Sequence, residues 1–562
     1  MMSQVAATAP GIAAMDKTGF TCALIRALWN AVETLDDCAS SVPRFWPVSP
    51  IDKVARKPFA NVVNLLSSFR SVFEVVGLQD VPARKPEYSH RHGPTTVIDL
   101  LDRMTFVDTT AKIRSLFNYE YSHIFGLRLL SVLTSCLDTA LLLQNKFSFQ
   151  ETLLQAQADN VHPRNGIILD MLSLERNYVL VQTFLVGGPS ERILPPRTLR
   201  SNDEHEFPYE LFSRYPVPST YVVDPVQSFS GDDGSELVKL FSSLDVEQSW
   251  LDKCWKLLAE RTDDLCLDTC LRLVERAVQV RCQNPTESVF PRITWSESRG
   301  SGSRTDLSPL QLLGVSVAVR YGCYLKLLPG ESEATRECLC RLLRKCSHGL
   351  RQQQLSLADN ELCVCKHSQV GFDWFVATVF LMTSGNADRT YEILSGFSSL
   401  LGSAYLWTRR THCSKLLPRT FVLSGILPVY SVTCHEVELI LQLELPHIHS
   451  AFRMSGCSSA QICQQWLNQC FWNYLDWAQI CQYVTVCVVL GEDYQVYVCV
   501  AVLRHLEHEL MHQMQDKNLL VYLKEQPIRR FKVRDHLDYM MQLQKKFRDT
   551  VMADMRSILN EP

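Results

Sequence analysis

The sequence has little excess charge of either sign: 56 Lys and Arg stand against 60 Asp and Glu, a net charge of −4. A chain this balanced has no global basic field, which excludes the usual electrostatic footprint of a nucleic-acid binder, and no nucleic-acid partner is expected. It also lacks an uninterrupted apolar run of the roughly 20 residues that a membrane helix needs. The best stretch, Cys481 to Leu503, is interrupted by Glu492 and Asp493, so no transmembrane segment is expected. The opening residues, Met1-Met2-Ser3-Gln4-Val5-Ala6, have neither the basic start nor the apolar core of a secretory signal, which points to a reducing, cytoplasmic setting. Phosphate-loop chemistry is missing too. Gly187-Gly188-Pro189-Ser190 and Gly300-Ser301-Gly302-Ser303 lack the Lys and the spacing, so they read as turns and no cofactor is expected.

What is present is the composition of a folded protein. Hydrophobic residues make up 46% and charged residues 21% of 562, far from the disordered signature and long enough for two to four domains at roughly 100 to 200 residues each. The 21 Cys, scattered through a long chain without a signal, read mainly as small buried hydrophobes.

The periodicity predicts an all-α protein. Over residues 1–190 apolar residues recur at helical spacing, as in Ile124, Leu127, Leu130, Leu133 and Leu137, a helical block open to solenoid-like stacking but without a fixed repeat. Pro195-Pro196, Pro216-Val217-Pro218 and Gly231-Asp232-Asp233-Gly234 mark residues 191–304 as a connector with some helix, ending in the Gly/Ser-rich run 296–304. A second helical domain is expected over 305–515. Near its end Ser458 with Gln461 forms a capping-box pattern, Asp476 opens a helix striped with Ile480, Tyr483, Val484 and Cys487, and Gly491 stops it. Asp493 then caps a third helix carrying Val496, Val500, Leu503, Leu506, Leu510 and Met514. Residues 516–562 read as a C-terminal amphipathic helix, preceded by the basic run Arg529-Arg530-Phe531-Lys532-Val533-Arg534. That helix either packs back on the lobe or docks a partner helix or acidic surface.

The order Leu445-Pro446-His447, Gly456, Trp466-Leu467, Phe471, Gly491 and the apolar helix from Val496 resembles the C-terminal lobe of TBC domains, all-helical modules whose active members are GTPase-activating proteins for Rab GTPases. Cys470 to Trp477 with Gly491 to Tyr497 narrows the likeness to an atypical branch of that family associated with primary cilia and Hedgehog signalling. The resemblance implies an arginine finger from IxxDxxR, which neutralises charge on the transferred phosphoryl group, and a glutamine from YxQ, which orients the attacking water. Aligning Val370-Gly371-Phe372-Asp373-Trp374 on the family's VGYxQ puts Phe372 at the tyrosine and Trp374 at the glutamine. A shifted alignment offers Gln369 instead, and the nearest arginine pattern, Glu333-Ala334-Thr335-Arg336, has Gly330 and Glu333 where an aliphatic residue and Asp belong. The implied reading is a degenerate TBC domain without catalytic residues: a scaffold in ciliary assembly and Hedgehog (Smoothened/Gli) signalling, at the primary cilium or its base. Its implied partners are proteins, including a cyclin-dependent-kinase-like protein and a small GTPase. The alternative is a working Rab GTPase-activating protein that uses Gln369 and Arg336.

Two metal motifs compete with their plainer readings. His508-Glu509-Leu510-Met511-His512 matches HExxH, but His508 and His512 fall opposite the apolar stripe, and Gln515 and Asn518 stand where an extended zinc motif has Gly and His; Glu525 is only a nominal third ligand. Cys338, Cys340, Cys346, His348, Cys363, Cys365 and His367 are dense in soft ligands, yet alternate residues on a helix diverge. No metal site is expected from either. A plain α-solenoid adaptor remains the third functional reading.

Overall fold

The computed structural model describes residues 119–159, 161–162, 166–167, 171–192, 249–260, 265–284, 287–293, 307–357, 371–407, 428–515 and 519–560, with positions 14–15, 17–20 and 23 besides. The fold is all-α, as the periodicity predicts; its strand content is one antiparallel pair of two-residue strands, β1 (Val161–His162) and β2 (Gly166–Ile167), and an isolated bridge from Ser288 to Leu400, among the described residues. No helix among them is long and apolar enough to cross a membrane.

Four helices come first: α1 (Tyr119–Thr134), α2 (Leu137–Phe147), α3 (Phe149–Asp159) and α4 (Met171–Phe184). Next are α5 (Ser249–Glu260) and α6 (Leu267–Gln283). The segment read as a connector therefore contributes α6, whose Cys270, Leu273, Val274, Ala277 and Val278 are all core. Then follow α7 (Pro309–Tyr324), α8 (Glu333–Leu357), α9 (Trp374–Met382), α10 (Ala387–Phe397) and the short α11 (Gly402–Leu406). A full capping box opens α7: Ser308 Oγ accepts from Gln311 N at 3.3 Å, Ser308 N donates to Gln311 Oε1 at 3.0 Å, and Pro309 fills the first turn. The last block holds α12 (Pro428–Glu444), α13 (Pro446–Ser455), α14 (Ala460–Asn468), α15 (Trp477–Val489), α16 (Tyr494–His505), α17 (Glu507–Gln515), α18 (Leu519–Glu525) and α19 (Leu537–Asn560).

The helix expected to run unbroken from Asp493 to Met514 is two helices, since the chain turns at Leu506, and α13 and α18 then pack on α17 while α12 and α19 pack on α16. Nor do α15 and α16 show one apolar face. From Gln479 to Val489 and from Tyr494 to Leu503 every residue is buried, polar ones included. A helix covered on all sides sits at the centre of its domain. Here α15 lies against α5, α6 and α16, so the residues 249–283 wrap what the C-terminal lobe leaves open.

The N-terminal helices are stitched to the same centre. α1 packs on α18 and α2 packs on α7. Arg128 of α1 pairs with buried Glu525 at 2.8 Å, and Gln465 of α14 donates to Ser135 at 3.2 Å. The turn after α4 runs flush along the start of α15, with Gly187 N donating to Asn473 Oδ1 at 3.1 Å. Ser190 gives both N and Oγ to the Asp476 carboxylate at 2.8 Å. A Cβ at Gly188 would fall 2.3 Å from Asp476 N, so only glycine lets the two backbones approach this closely. Contacts thus cross the expected boundary at 305 throughout. In the last segment, Met540, Leu543, Val551 and Met555 of α19 are buried against the lobe, the first of the two uses its sequence allows. The side chain of Ile558 lies outside the described residues.

Candidate functional site

The catalytic positions implied by the TBC resemblance lie where residues 371–374 enter α9. Asp373 caps that helix, its Oδ1 accepting from Val376 N at 3.1 Å and its Oδ2 from Trp407 Nε1 at 2.9 Å. Phe372 and Trp374 flank it and both point inward, Trp374 with no solvent exposure. Their rings meet edge to face at 4.8 Å, and Trp374 lies 5.2 Å from Trp472, whose indole N–H donates to Thr378 Oγ1. Helix α7 makes room for Phe372 with Gly314, where a Cβ would sit 2.2 Å from the ring.

One buried carboxylate organises the cluster. Asp138 of α2 accepts from Phe372 N at 3.1 Å and Trp374 Nε1 at 3.0 Å through one oxygen, and from Asn468 Nδ2 at 3.1 Å through the other. In the alignment that sets Trp374 at the glutamine position, that position holds a donor-only indole whose N–H is already used inside the core, with no acceptor to hold a water. The sequence reading did not single out Asp138. Its signal was an acid amid Leu137, Leu141, Leu142 and Leu143, where an apolar stripe has no use for an unpaired charge.

The other candidates are dispersed. Arg336 sits in the first turn of α8 with its side chain 38% exposed, and its guanidinium pairs with Glu331 at 3.2 Å. Gln369 and His367 lie outside the described residues, as do Cys363 and Cys365. Cys338 is partly exposed while Cys340 and Cys346 are buried along the same helix. Burial pushes the Cys340 thiol up from its ordinary range. His508, Glu509 and His512 are exposed on α17, whereas Glu525 is buried and engaged with Arg128. No group of three or more His, Cys, Asp or Glu side chains among the described residues is placed to hold a metal ion. His505, at the end of α16, packs edge-on against Phe531 and His536, with Nε2 2.9 Å from Arg529 O.

The segment that carries the narrow resemblance, Cys470 to Trp477, is equally internal. Cys470, Phe471 and Asn473 all take left-handed backbone conformations, with φ of 48°, 59° and 72°. Asn473 tolerates this; Cys470 and Phe471 store strain that the surrounding contacts hold in place. Below it, Glu191 accepts from Tyr321 Oη at 2.6 Å and Trp477 N at 2.6 Å, and burial raises its carboxyl despite those bonds. Across the lobe a cavity of about 100 Å³ lies between α6, α11 and α19, lined by Arg281, Glu287, Phe397, Glu492, Arg548 and Arg556 among others. Asp493, fully buried beside it, has Arg548 Nε at 3.9 Å; burial, only partly offset by that arginine, pushes its carboxyl up to about 6.

Two family models match the chain. The one described as "Broad-minded protein Rab TBC domain" covers residues 133–558, and the one described as "Broad-minded protein central region" covers residues 1–115. Among curated proteins, Protein broad-minded of Danio rerio is 44% identical over 571 residues, spanning 100% of this chain and 43% of that protein. Protein broad-minded of Mus musculus is 41% identical over 570 residues, spanning 99% of this chain and again 43% of that protein. The chain thus spans less than half the length of these relatives. No solved structure matches it.

Proposed function

The chain belongs to the broad-minded protein family, and from that premise we propose that its TBC-type domain is a non-catalytic scaffold that binds protein partners. One observation carries the proposal. The position aligned with the water-orienting glutamine holds Trp374, a fully buried indole hydrogen-bonded to Asp138. Assisted GTP hydrolysis needs a side chain that reaches the attacking water and an arginine that reaches the transferred phosphoryl group, the latter worth about 10³ to 10⁵ in rate. Arg336, the nearest arginine pattern, departs from the family's motif at Gly330 and Glu333, and its exposed pair with Glu331 is worth little.

The biological setting we propose, ciliary assembly and Hedgehog signalling with a cyclin-dependent-kinase-like protein and a small GTPase among the partners, rests on family membership. Domain by domain, we propose that the helices from residue 119 onward act together, because α1, α2 and α6 complete the core of the lobe. The test is GTP hydrolysis by a panel of purified Rab proteins with and without the full chain. Unchanged rates together with retention of a GTP-loaded Rab on the immobilised chain are the expected result. Acceleration that disappears in Arg336→Ala would overturn the proposal, and its loss in Gln369→Ala as well would make Gln369 the water-positioning residue.

A further inference from the structure

The loop between α18 and α19 departs from the rest of the surface in how it is held. Ile528, Phe531 and Val533 are each 3% exposed or less, and they spike the loop into the lobe. Ile528 N donates to Tyr474 O at 2.9 Å and Val533 N to Gln479 Oε1 at 2.8 Å, so the backbone is pinned at both ends to the turn before α15 and to α15 itself. Between those pins the Phe531 ring stacks on His536 at 4.9 Å, and His505 contacts Arg529 O. Arg529, Arg530 and Lys532 are left on the outside.

The backbone at Arg530 is left-handed, as it is at six other non-glycine residues among those described. Its φ is +58°, the left-handed region that favours Gly or Asn, yet the residue is an exposed arginine. Exposed Lys326 takes the same conformation, with φ of 59°; what Arg530 adds is an exposed charge beside Arg529. Neither Arg529 nor Arg530 has an ion-pair partner among the described residues, although Glu509 and Asp535 are in the neighbourhood. On the adjoining surface Arg504 lies over the Tyr539 ring at 4.0 Å, adding a third guanidinium. The chain as a whole is acidic, so this local cluster is not a sample of its average surface.

We propose that this pinned loop, with Arg529 and Arg530 at its crest, is a docking surface for an acidic segment of a protein partner. Guanidinium groups suit carboxylates, which they bind through paired hydrogen bonds, and a backbone pinned at both ends lowers the ordering cost of doing so. An anionic membrane is the less fitting occupant. Stable membrane attachment adds an apolar anchor to basic charge, and here all three apolar residues of the loop point into the protein. The proposal is independent of whether the chain stimulates GTP hydrolysis.

The experiment is fluorescence anisotropy of the full chain with a fluorescein-labelled peptide of alternating Glu and Ser, and with its Gln-for-Glu counterpart. Vesicles of phosphatidylcholine with one-fifth phosphatidylserine form a third arm. The expected result is binding of the Glu peptide alone, weakened by added salt and lowered about tenfold or more by Arg529→Glu with Arg530→Glu. Arg530→Gly keeps the backbone conformation and removes only the side chain, so it is expected to weaken binding several-fold while leaving Tm unchanged or higher. Equal binding by the double variant, no binding by the wild-type chain, or binding of vesicles in place of the peptide would each overturn the proposal. So would a fall in Tm for Arg530→Gly that accounts for its weaker binding, because Arg530 would then be structural.

Discussion

Asp138 shows how much can depend on one side chain. Replacing it with Ala leaves Phe372 N, Trp374 Nε1 and Asn468 Nδ2 without the acceptor they share in the core, and each buried unmet donor costs about 1–3 kcal/mol. Asp138→Ala is expected to lower stability by about 3–5 kcal/mol, measured by urea denaturation, and Asp138→Asn by less, since an amide oxygen keeps part of the acceptor role. Trp374→Gln, which restores the family residue in name, is expected to cost about 3–5 kcal/mol through the cavity it opens without adding GTPase-activating activity in a Rab hydrolysis assay. Asp493 makes a pH prediction. Its folded carboxyl titrates at about 6, above the unfolded value, so the folded state holds the extra proton and gains stability at acid pH; that gain is lost as pH rises through about 6. Asp493→Asn is therefore expected to raise Tm at pH 8 and to leave it nearly unchanged at pH 4, by scanning calorimetry. Of these residues, Phe372 and Trp374 stand out in the sequence only through an alignment to a family motif, and their place in the core is not legible there. Burial of an aromatic next to a helix cap depends on Gly314, which lies far away in the sequence.

At the level of elements, periodicity located most helices of the C-terminal lobe because that signal is local, whereas the caps differ from those expected: Asp476 and Asp493 form no side-chain capping bond, and Ser459 rather than Ser458 precedes α14. Asp476 and Gly491 bracket α15, and Gly456 ends α13 in a left-handed conformation. Two features escaped because their causes are not local. The turn at Leu506 interrupts an apolar stripe that continues on both sides, so the spacing of Leu503, Leu506 and Leu510 reads the same whether one helix or two carries it. The burial of α15 on every side follows from α6, in a stretch whose prolines and glycines read as connector. The same packing makes α7 sensitive at one position. Gly314→Ala would thrust a methyl into the Phe372 ring, and a shift of that ring disturbs the Asp138 cluster behind it; a loss of about 1–3 kcal/mol is expected, with a change in near-ultraviolet dichroism from the clustered tryptophans.

For the molecule as a whole, contacts among distant segments make the expected start at 305 a poor place to cut. A chain lacking residues 119–192 is expected to be insoluble or to bind a hydrophobic dye, because Glu525, Asn473 and Asp476 lose partners and α15 loses cover. Limited proteolysis of the full chain is expected to leave the first helices attached to the C-terminal lobe through non-covalent contacts even where the intervening backbone is cut. The flush seating of Gly188 against Asp476 also has a consequence for biosynthesis. Gly187 and Ser190 bond to residues that follow them by 286 positions. At about 5–20 residues per second of translation, the early helices wait about 15–60 s on the ribosome for the turn that receives them. During that interval the face of α1 that α18 will cover, and the turn after α4 that the start of α15 will receive, remain open to other surfaces. Yield in cells should consequently depend on chaperone supply and on translation speed across the residues between, even for variants whose folded stability is unchanged.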